Sequence, residues 1–302
     1  MTFNSRDYIA ELTADWEGER LPDGRPRVPD GILERLRGLT LEETWEPIVK
    51  KFGYRFQYET EFKTTHPGQK LVGRAVTAVM VPSRPDTHRI LQKHGSENEG
   101  FGGFYNQWVV DGLGEDDVIV VDMFDKIYNG TYVGGNLSTA IAARTKRGGA
   151  VIWGGIRDIE QIRRIGGIQV FYRGEDPSGI EGVMMSGMNV PCRIGRAVCL
   201  PGDVVFGTSS GVMFIPPQLA EAVVVYAEKS KVKDIFGFIR LREGVYTTAR
   251  IDMAWDMELV NDFLGWFKSD PQAGPYRHLT WEDEIKRAES LRAGQSIQAF
   301  DV

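Results

Sequence analysis

Gly134-Gly135-Asn136-Leu137-Ser138 opens the segment that decides the fold of this chain, and Gly154-Gly155-Ile156-Arg157-Asp158 closes it. Between them lie an alanine-rich stretch of helical composition and the apolar run 150–153, which has the length of a buried strand. The segment therefore predicts a helix followed by a strand. Arg157 and Asp158 would sit on a loop just past the strand end, where α/β proteins commonly keep functional residues.

The first glycine pair predicts an anion-binding loop. Asn136 and Ser138 are interpreted as helix-capping positions, which would leave the backbone N–H groups of Gly135 to Ser138 free to bind a carboxylate or phosphate. The pair Gly154-Gly155 would let the backbone approach a ligand closely. A glycine turn that only caps a helix, and a surface ion pair at Arg157 and Asp158, are the plain alternatives.

Composition limits the class of protein. With 302 residues and 42% hydrophobic content, the chain is long enough for one large domain with extensions or for two small domains. Its net charge of -6, without a basic tract, argues against a nucleic-acid partner. The start lacks an apolar signal core and no apolar run approaches a membrane span, so we expect no membrane partner and a cytoplasmic location. Cys192 and Cys199 lack metal-site spacing, and we expect buried reduced thiols.

Strands and helices alternate along the middle of the chain, which predicts an α/β fold. We expect an N-terminal helical extension at 1–66, a core domain at 67–245 and a C-terminal arm at 246–302. A long amphipathic helix is predicted from Pro217 to about Phe238. The predicted strands lie at 70–81, 117–122, 150–153, 169–172, 197–200, 203–207 and 212–215, with a hairpin joining the last two.

Several short motifs, in the same order, resemble the RraA-like family over roughly residues 70–245. They are Gly135-Asn136-Leu137, Arg157-Asp158, Asn189-Val190-Pro191, 201–205 (PGDVV) and 211–216 (GVMFIP). The family includes divalent-metal-dependent 4-hydroxy-4-methyl-2-oxoglutarate/4-carboxy-4-hydroxy-2-oxoadipate aldolases. The resemblance implies a β/β/α layered sandwich like the swivelling phosphohistidine-type domain. It also implies homotrimers or homohexamers with sites between subunits.

The resemblance implies a role for each matching residue. Backbone amides of Gly135, Asn136, Leu137 and Ser138 would bind the substrate carboxylate, Arg157 would contact the keto oxygen, and Asp158 would ligate Mg²⁺ or Mn²⁺. The expected function is a metal-dependent lyase, by aldol cleavage or decarboxylation, acting on a small 2-oxo or hydroxy carboxylic acid through a metal-stabilised enolate. At Asn136 the aldolases carry an acidic residue, and an amide can neither accept a proton nor pull strongly on a cation.

Two other functions stay open for the same motifs. One is a hydratase or eliminase for a sugar acid at the same site, which the change at Asn136 leaves open. The other is a non-catalytic regulatory binding protein, since some RraA-like members inhibit ribonuclease assemblies.

Other polar residues give weaker signals. The four histidines, His66, His88, His94 and His278, show no metal-ligand spacing, and the glycine-rich segment His94–Gly103 predicts a flexible loop that could close over the site. Asp122 and Asp125 would form a turn or support the site. Glu228, Asp234 and Glu243 are candidates for a carboxylate supplied by a neighbouring subunit.

Overall fold

The computed structural model describes residues 3–292, which form two compact units. The first unit comprises the described parts of Met1–Leu41 and Arg55–Glu221, and the second comprises Glu42–Tyr54 and the described part of Ala222–Val302. The domain boundaries predicted after residues 66 and 245 stay predictions. No helix within the described chain combines the length and apolar character that a membrane crossing requires.

Helices make up the N-terminal region, the connections between strands and the C-terminal region. A π-helical turn follows the third helix at Pro47–Lys51, and 3₁₀ turns lie at Pro217–Leu219 and Pro271–Tyr276. The α-helices are α1 (Arg6–Leu12), α2 (Asp30–Arg37), α3 (Leu41–Glu46), α4 (Pro85–Asn98), α5 (Tyr105–Asp111), α6 (Gly135–Thr145), α7 (Ile159–Ile162), α8 (Ala220–Arg242), α9 (Thr248–Ile251), α10 (Met257–Ser269) and α11 (Glu282–Arg292).

The strands all belong to the first unit. They are β1 (Tyr58–Glu59), β2 (Lys63–Thr64), β3 (Leu71–Pro82), β4 (Asp117–Asp122), β5 (Gly149–Ile156), β6 (Gln169–Glu175), β7 (Val183–Met188), β8 (Cys192–Ile194), β9 (Ala197–Cys199), β10 (Val204–Thr208) and β11 (Gly211–Ile215). Every strand predicted from the sequence is present, with ends shifted by a few residues.

The main sheet is mixed, which confirms the predicted α/β class. Its order is β1-β11-β10-β3-β4-β5-β6-β2, and β7 pairs with the distal half of β3. Strands β3 to β6 are parallel, and the predicted hairpin of β10 and β11 is antiparallel. The comparison with the phosphohistidine-type domain stays a prediction.

Both faces of the parallel strands are covered, which explains why β4 and β5 are buried along their whole length. Side chains alternate between the faces along each strand. Ile119 and Val121 point into the helical side with Ile141 of α6, whereas Val118 and Val120 pack towards the small β8–β9 hairpin. Because these strands are parallel, the carboxyl ends of β4, β5 and β6 share one edge of the sheet.

The β8–β9 hairpin places the two cysteines opposite each other. Cys192 and Cys199 are register partners, and both are free and buried, as the sequence predicted. Burial raises the pKa of each thiol well above its usual range. Both side chains therefore act as small apolar groups in the core.

The loop predicted for His94–Gly103 is wrong over its first half, because α4 continues to Asn98. A Cβ at Gly95 would lie only 2.3 Å from Cη2 of Trp108. The glycine is therefore a close-packing position of a helix against an indole ring, and not a hinge. His88 also belongs to α4, where its Nδ1 lies 3.0 Å from the hydroxyl of Tyr105.

The second unit is built around α8, α10 and α11. Apolar side chains of α8 and α10 form a separate aromatic core with Trp281, which precedes α11, and the ring centroids of Phe263 and Trp281 are 4.5 Å apart. Phe236 of α8 contacts Phe263 edge to face. The C-terminal region thus has its own apolar core, and α8 matches the long helix predicted from Pro217.

A buried ion pair fixes the N-terminal segment of the first unit to the sheet. The guanidinium of Arg25 donates to both carboxylate oxygens of Asp117 at 2.8 and 3.1 Å, and both side chains are almost fully buried. Arg25 also donates to the carbonyl oxygen of Ala75 in β3. Removing Arg25 would leave the buried carboxylate of Asp117 without its ion-pair partner, with the amide of Gly114 as a remaining donor.

Arg25→Ala is therefore expected to lower the free energy of unfolding by about 3–5 kcal/mol. Arg27→Ala is the matched control, since Arg27 forms ion pairs at the surface with Glu19 and Asp30, worth about 1 kcal/mol or less. Urea unfolding of both variants measures the difference. Equal losses in the two variants would contradict a structural role for the buried pair.

A second buried carboxyl lies at the start of β10. Asp203 accepts the N–H of Leu200 at 2.8 Å, but burial raises its pKa to about 8. In the unfolded chain the pKa of an aspartate is about 4. Between about pH 4 and about pH 8 the folded protein thus holds one proton more than the unfolded chain, so this group makes stability fall as pH rises.

Asp203→Asn is expected to remove this component of the pH dependence while keeping an oxygen for the Leu200 amide. The wild type should lose stability relative to the variant by up to about 1.4 kcal/mol per pH unit within that window. Urea unfolding of both proteins at about pH 5 and about pH 8 measures the difference. Parallel pH profiles would show that the carboxyl is ionised in the fold.

Candidate functional site

The candidate site lies where β5 ends and α6 begins. β5 ends at Ile156, so Arg157 and Asp158 follow the strand as predicted. Asp158 adopts the left-handed conformation, with φ of 58°, and it is the N-cap residue of α7. This conformation is uncommon outside glycine, although aspartate tolerates it better than most residues.

The side chain of Asp158 connects the two predicted halves of the site. Its Oδ2 accepts the N–H of Gly135 at 3.0 Å, and Nε of Arg157 lies 3.3 Å from the same oxygen. Because Gly135 is the first residue of α6, the carboxylate sits at the positive end of that helix. The structure therefore brings Gly135, Arg157 and Asp158 together.

The prediction that all four loop amides are free is wrong for two of them. The amide of Gly135 donates to Asp158, and the amide of Ser138 donates to the carbonyl oxygen of Gly134 as the first bond of α6. Within residues 3–292, the amides of Asn136 and Leu137 have no hydrogen-bond acceptor. The donors left for an external anion are these two first-turn N–H groups.

The capping assignment is also wrong. The N-cap of α6 is Gly134, and Asn136 and Ser138 lie inside the helix. A Cβ at Gly134 would stand 2.4 Å from Oδ2 of Asp158 and 2.6 Å from Nε of Arg157. Glycine at this cap leaves the ion pair the space that a side chain would otherwise occupy.

The second glycine pair does not face a ligand. A Cβ at Gly154 would lie 2.8 Å from the carbonyl oxygen of Lys126, and one at Gly155 would lie 2.5 Å from that of Ile127. The chain segment after β4 therefore fills the space beside both glycines. Because these two residues have no side chain, the segment after β4 can pack against β5 directly before Arg157.

An open cleft of about 440 Å³ borders Arg157 and Asp158. Gln161, one turn further along α7, and Glu175 and Asp176, at the end of β6, also line it. Sequence reasoning missed these residues. The strand order could have indicated them. Because β6 is the parallel neighbour of β5, its last residues reach the same edge of the sheet.

Two side chains at this cleft retain free hydrogen-bonding groups. Oδ1 of Asp158 and both Nη groups of Arg157 have no hydrogen-bond partner among the described residues. The guanidinium lies against backbone, because a Cβ at Gly179 would be 2.9 Å from Nη1. An anionic oxygen acceptor and a cationic double donor therefore lie side by side at the cleft.

The remaining candidate carboxylates have other partners or lie elsewhere. Asp122 accepts the N–H of Phe124 at 2.7 Å in a turn, and burial raises its pKa, whereas Asp125 pairs with Arg173 at 2.9 Å. Glu228, Asp234 and Glu243 all belong to the second unit; Nε2 of His278 lies 3.0 Å from Glu228, and Glu243 pairs with Arg240. Within residues 3–292 no three His, Cys, Asp or Glu side chains converge as a metal site.

A known family model matches the part of the chain that contains the candidate site. The model of the RraA-like family, described as Aldolase/RraA, matches residues 40–214, which is more than half of the chain. The chain belongs to the RraA-like family. The match contains the strands of the first unit almost completely, together with Gly135, Arg157 and Asp158.

Two curated proteins are similar to parts of the RraA-like chain. Protein DlpA of Legionella pneumophila is 29% identical over 163 residues, covering 54% of this chain and 24% of that protein. A putative 4-hydroxy-4-methyl-2-oxoglutarate aldolase of Halalkalibacterium halodurans is 29% identical over 118 residues, covering 39% and 55%. The chain thus spans about a quarter and about half of the length of these relatives.

Solved structures support the fold of this RraA-like protein. RraAS2 of Streptomyces coelicolor, an unusual member of the RNase ES inhibitor RraA protein family, superposes with a TM-score of 0.60 at 22% identity, covering 72% of this chain and 98% of that one. An uncharacterised protein of Pseudomonas syringae pv. tomato gives a TM-score of 0.62 at 20% identity, covering 79% and 100%. At these identities the likeness establishes the shared fold.

Gly134→Ala is expected to separate Asp158 from the amide of Gly135 while costing at most about 1–2 kcal/mol of stability, since the nearest atoms that the methyl group meets belong to the side chains of Asp158 and Arg157 and not to the backbone. A crystal structure of the variant should show the Gly135 N to Asp158 Oδ2 distance beyond hydrogen-bond range. Gly166→Ala is the control, because a Cβ there meets nothing within 4 Å. An unchanged bond in Gly134→Ala would contradict the crowding described for this cap.

Proposed function

We propose that this protein is a divalent-metal-dependent lyase that acts on a small 2-oxo or hydroxy carboxylic acid by aldol cleavage or decarboxylation. The observation that carries the proposal is the shared oxygen of Asp158, which holds Arg157 and the start of α6 in one place and leaves the other carboxylate oxygen free. Membership of the RraA-like family and similarity to a putative aldolase support it.

The donor chemistry at the cleft fits a hard cation. Oδ1 of Asp158 is a carboxylate oxygen without a hydrogen-bond partner in the described chain, and Mg²⁺ or Mn²⁺ with mostly water ligands needs few protein oxygens. Asp158 would hold this cation, and the Gly135 amide and Arg157 would fix the orientation of its carboxylate. When bound, the cation supplies positive charge beside the substrate's keto oxygen.

Arg157 has the second role at the reacting centre. Its Nη groups can donate to the keto oxygen of the substrate, where negative charge develops as the carbon–carbon bond breaks. The guanidinium lies beside the backbone of Gly179 and its Nε lies 3.3 Å from Oδ2 of Asp158, so it already borders the cleft before substrate binds. Arg157 thus stabilises the developing charge without transferring a proton.

The amides of Asn136 and Leu137 would bind the substrate carboxylate at the positive end of α6. The carboxylate of Asp158 already shares this helix end, so a second anion is bound more weakly unless cationic charge is present nearby. Arg157 and the cation provide that charge. The family resemblance further supports a homotrimer or homohexamer, in which a neighbouring subunit's carboxylate would complete the site.

Exchange of the methyl protons of pyruvate in D₂O, followed by NMR with Mg²⁺ or Mn²⁺, tests this proposal. Arg157→Ala should slow exchange by about 100-fold, since one charge-stabilising donor is lost. Asp158→Asn should raise the half-saturating metal concentration at least about tenfold. Chelation of the metal should abolish exchange in the wild type.

Arg164→Ala is the matched control, because it removes an exposed arginine just after α7 that lies outside the cleft lining. It should exchange pyruvate protons like the wild type. Absence of exchange in the wild type with either metal would overturn the lyase proposal and favour a regulatory binding protein. Dehydration of sugar acids with no pyruvate exchange would instead favour a hydratase or eliminase at Arg157 and Asp158.

A further inference from the structure

The second unit contains a polar cavity of about 410 Å³, bordered by the Pro47–Lys51 turn, α8 and α11. Its wall carries five cationic side chains and four acidic ones, which are Glu43, Glu46, Asp283 and Glu284. The cations are Lys50, Lys51, Lys229, Lys233 and Arg287.

Several of these cations are already neutralised or bound. Lys50 pairs with Glu46 at 3.1 Å, and Lys229 pairs with Glu284 at 3.1 Å. Lys51 donates to the hydroxyl of Tyr226. Lys233 and Arg287 are the two other basic side chains of the wall.

Lys233 and Arg287 have no hydrogen bond or ion pair with any residue between 3 and 292. Both also line a second, adjoining cavity of about 180 Å³. Within residues 3–292 the amine lies near the ring of Trp255, whose centroid is 5.8 Å from Nζ. An amine without a polar partner that reaches two cavities is available to a ligand.

The surroundings of Lys233 shift its amine towards the uncharged form. Burial lowers its pKa, and the nearby charges of Arg287 and Lys229 lower it further, whereas Glu284 and Glu46 act in the opposite direction. A neutral amine is a weak partner for an anion but a good nucleophile. The permanently charged Arg287 is the group suited to hold a carboxylate.

We propose that this cavity binds a small carboxylic acid bearing an adjacent aldehyde or ketone, and that Nζ of Lys233 forms an imine with its carbonyl carbon. Arg287 would bind the ligand's carboxylate and direct the carbonyl carbon to the amine. The site belongs to the second unit, so the proposal does not depend on Arg157 or Asp158.

The reaction needs no oxidant or reductant. The nitrogen lone pair forms the N–C bond while the C=O π electrons move to oxygen, and a proton passes from nitrogen to that oxygen through Glu46 or Glu284 of the wall. The hydroxyl group then leaves as water with a second proton, and the C=N bond forms. The step is reversible, and one water is released for each imine formed.

Borohydride reduction of the full-length protein in the presence of pyruvate, followed by peptide mass spectrometry, tests the imine. A reduced adduct is expected on Lys233 at least about tenfold above that on Lys286, an exposed lysine of α11 outside the cavity. Lys233→Arg keeps a positive charge but should lose the adduct. Lys286→Arg is the matched control and should retain it.

Two further measurements distinguish the proposed roles. Arg287→Met should raise the half-saturating pyruvate concentration about tenfold while Lys233 stays modifiable by a neutral acylating reagent. At neutral pH the neutral reagent should acylate Lys233 faster than Lys286. Equal labelling of both lysines, or an unchanged adduct yield in Lys233→Arg, would overturn the proposal, whatever the outcome of pyruvate proton exchange.

Discussion

The hydrogen bond from the Gly135 amide to the carboxylate of Asp158 is the constraint on which the site depends. It links the start of α6 to the residue that follows β5, so it closes the strand–helix–strand unit across 23 positions of the chain. The same oxygen accepts Arg157, which places a cation beside the helix end. A change that moves this carboxylate would therefore disturb the helix start and the guanidinium together.

This constraint also determines what an external ligand would meet. An internal carboxylate already uses the first free amide of α6, and the remaining donors are the amides of Asn136 and Leu137 and the guanidinium of Arg157. Rigid, pre-placed donors lose little entropy on binding, so they favour a small anion whose shape matches them. The glycine at position 134 leaves room for this arrangement, because a side chain there would occupy the space of the ion pair.

The second unit is stabilised by its own apolar core, separate from the core of the first unit. An aromatic core holds α8 and α10, and charged residues of α8 and α11 surround a separate polar cavity. Most of this unit lies beyond residue 214, where the RraA-like match ends. Properties of Lys233 and Arg287 therefore come from this chain's own packing. They do not follow from the family's shared strands.

The sequence by itself determined the strands, the long helix, the α/β class and the position of Arg157 and Asp158 after a strand, because hydrophobic periodicity and strand length act within a few residues. Only the tertiary structure decided which groups meet. Gly95 looked like a loop residue until Trp108 packed on it, Gly154 and Gly155 are covered by returning chain, and the amide of Gly135 is taken by Asp158. Glu175 joins the cleft through a neighbouring strand. These contacts join residues far apart in sequence, so the path of the chain, rather than local propensity, selects the partner of each polar group.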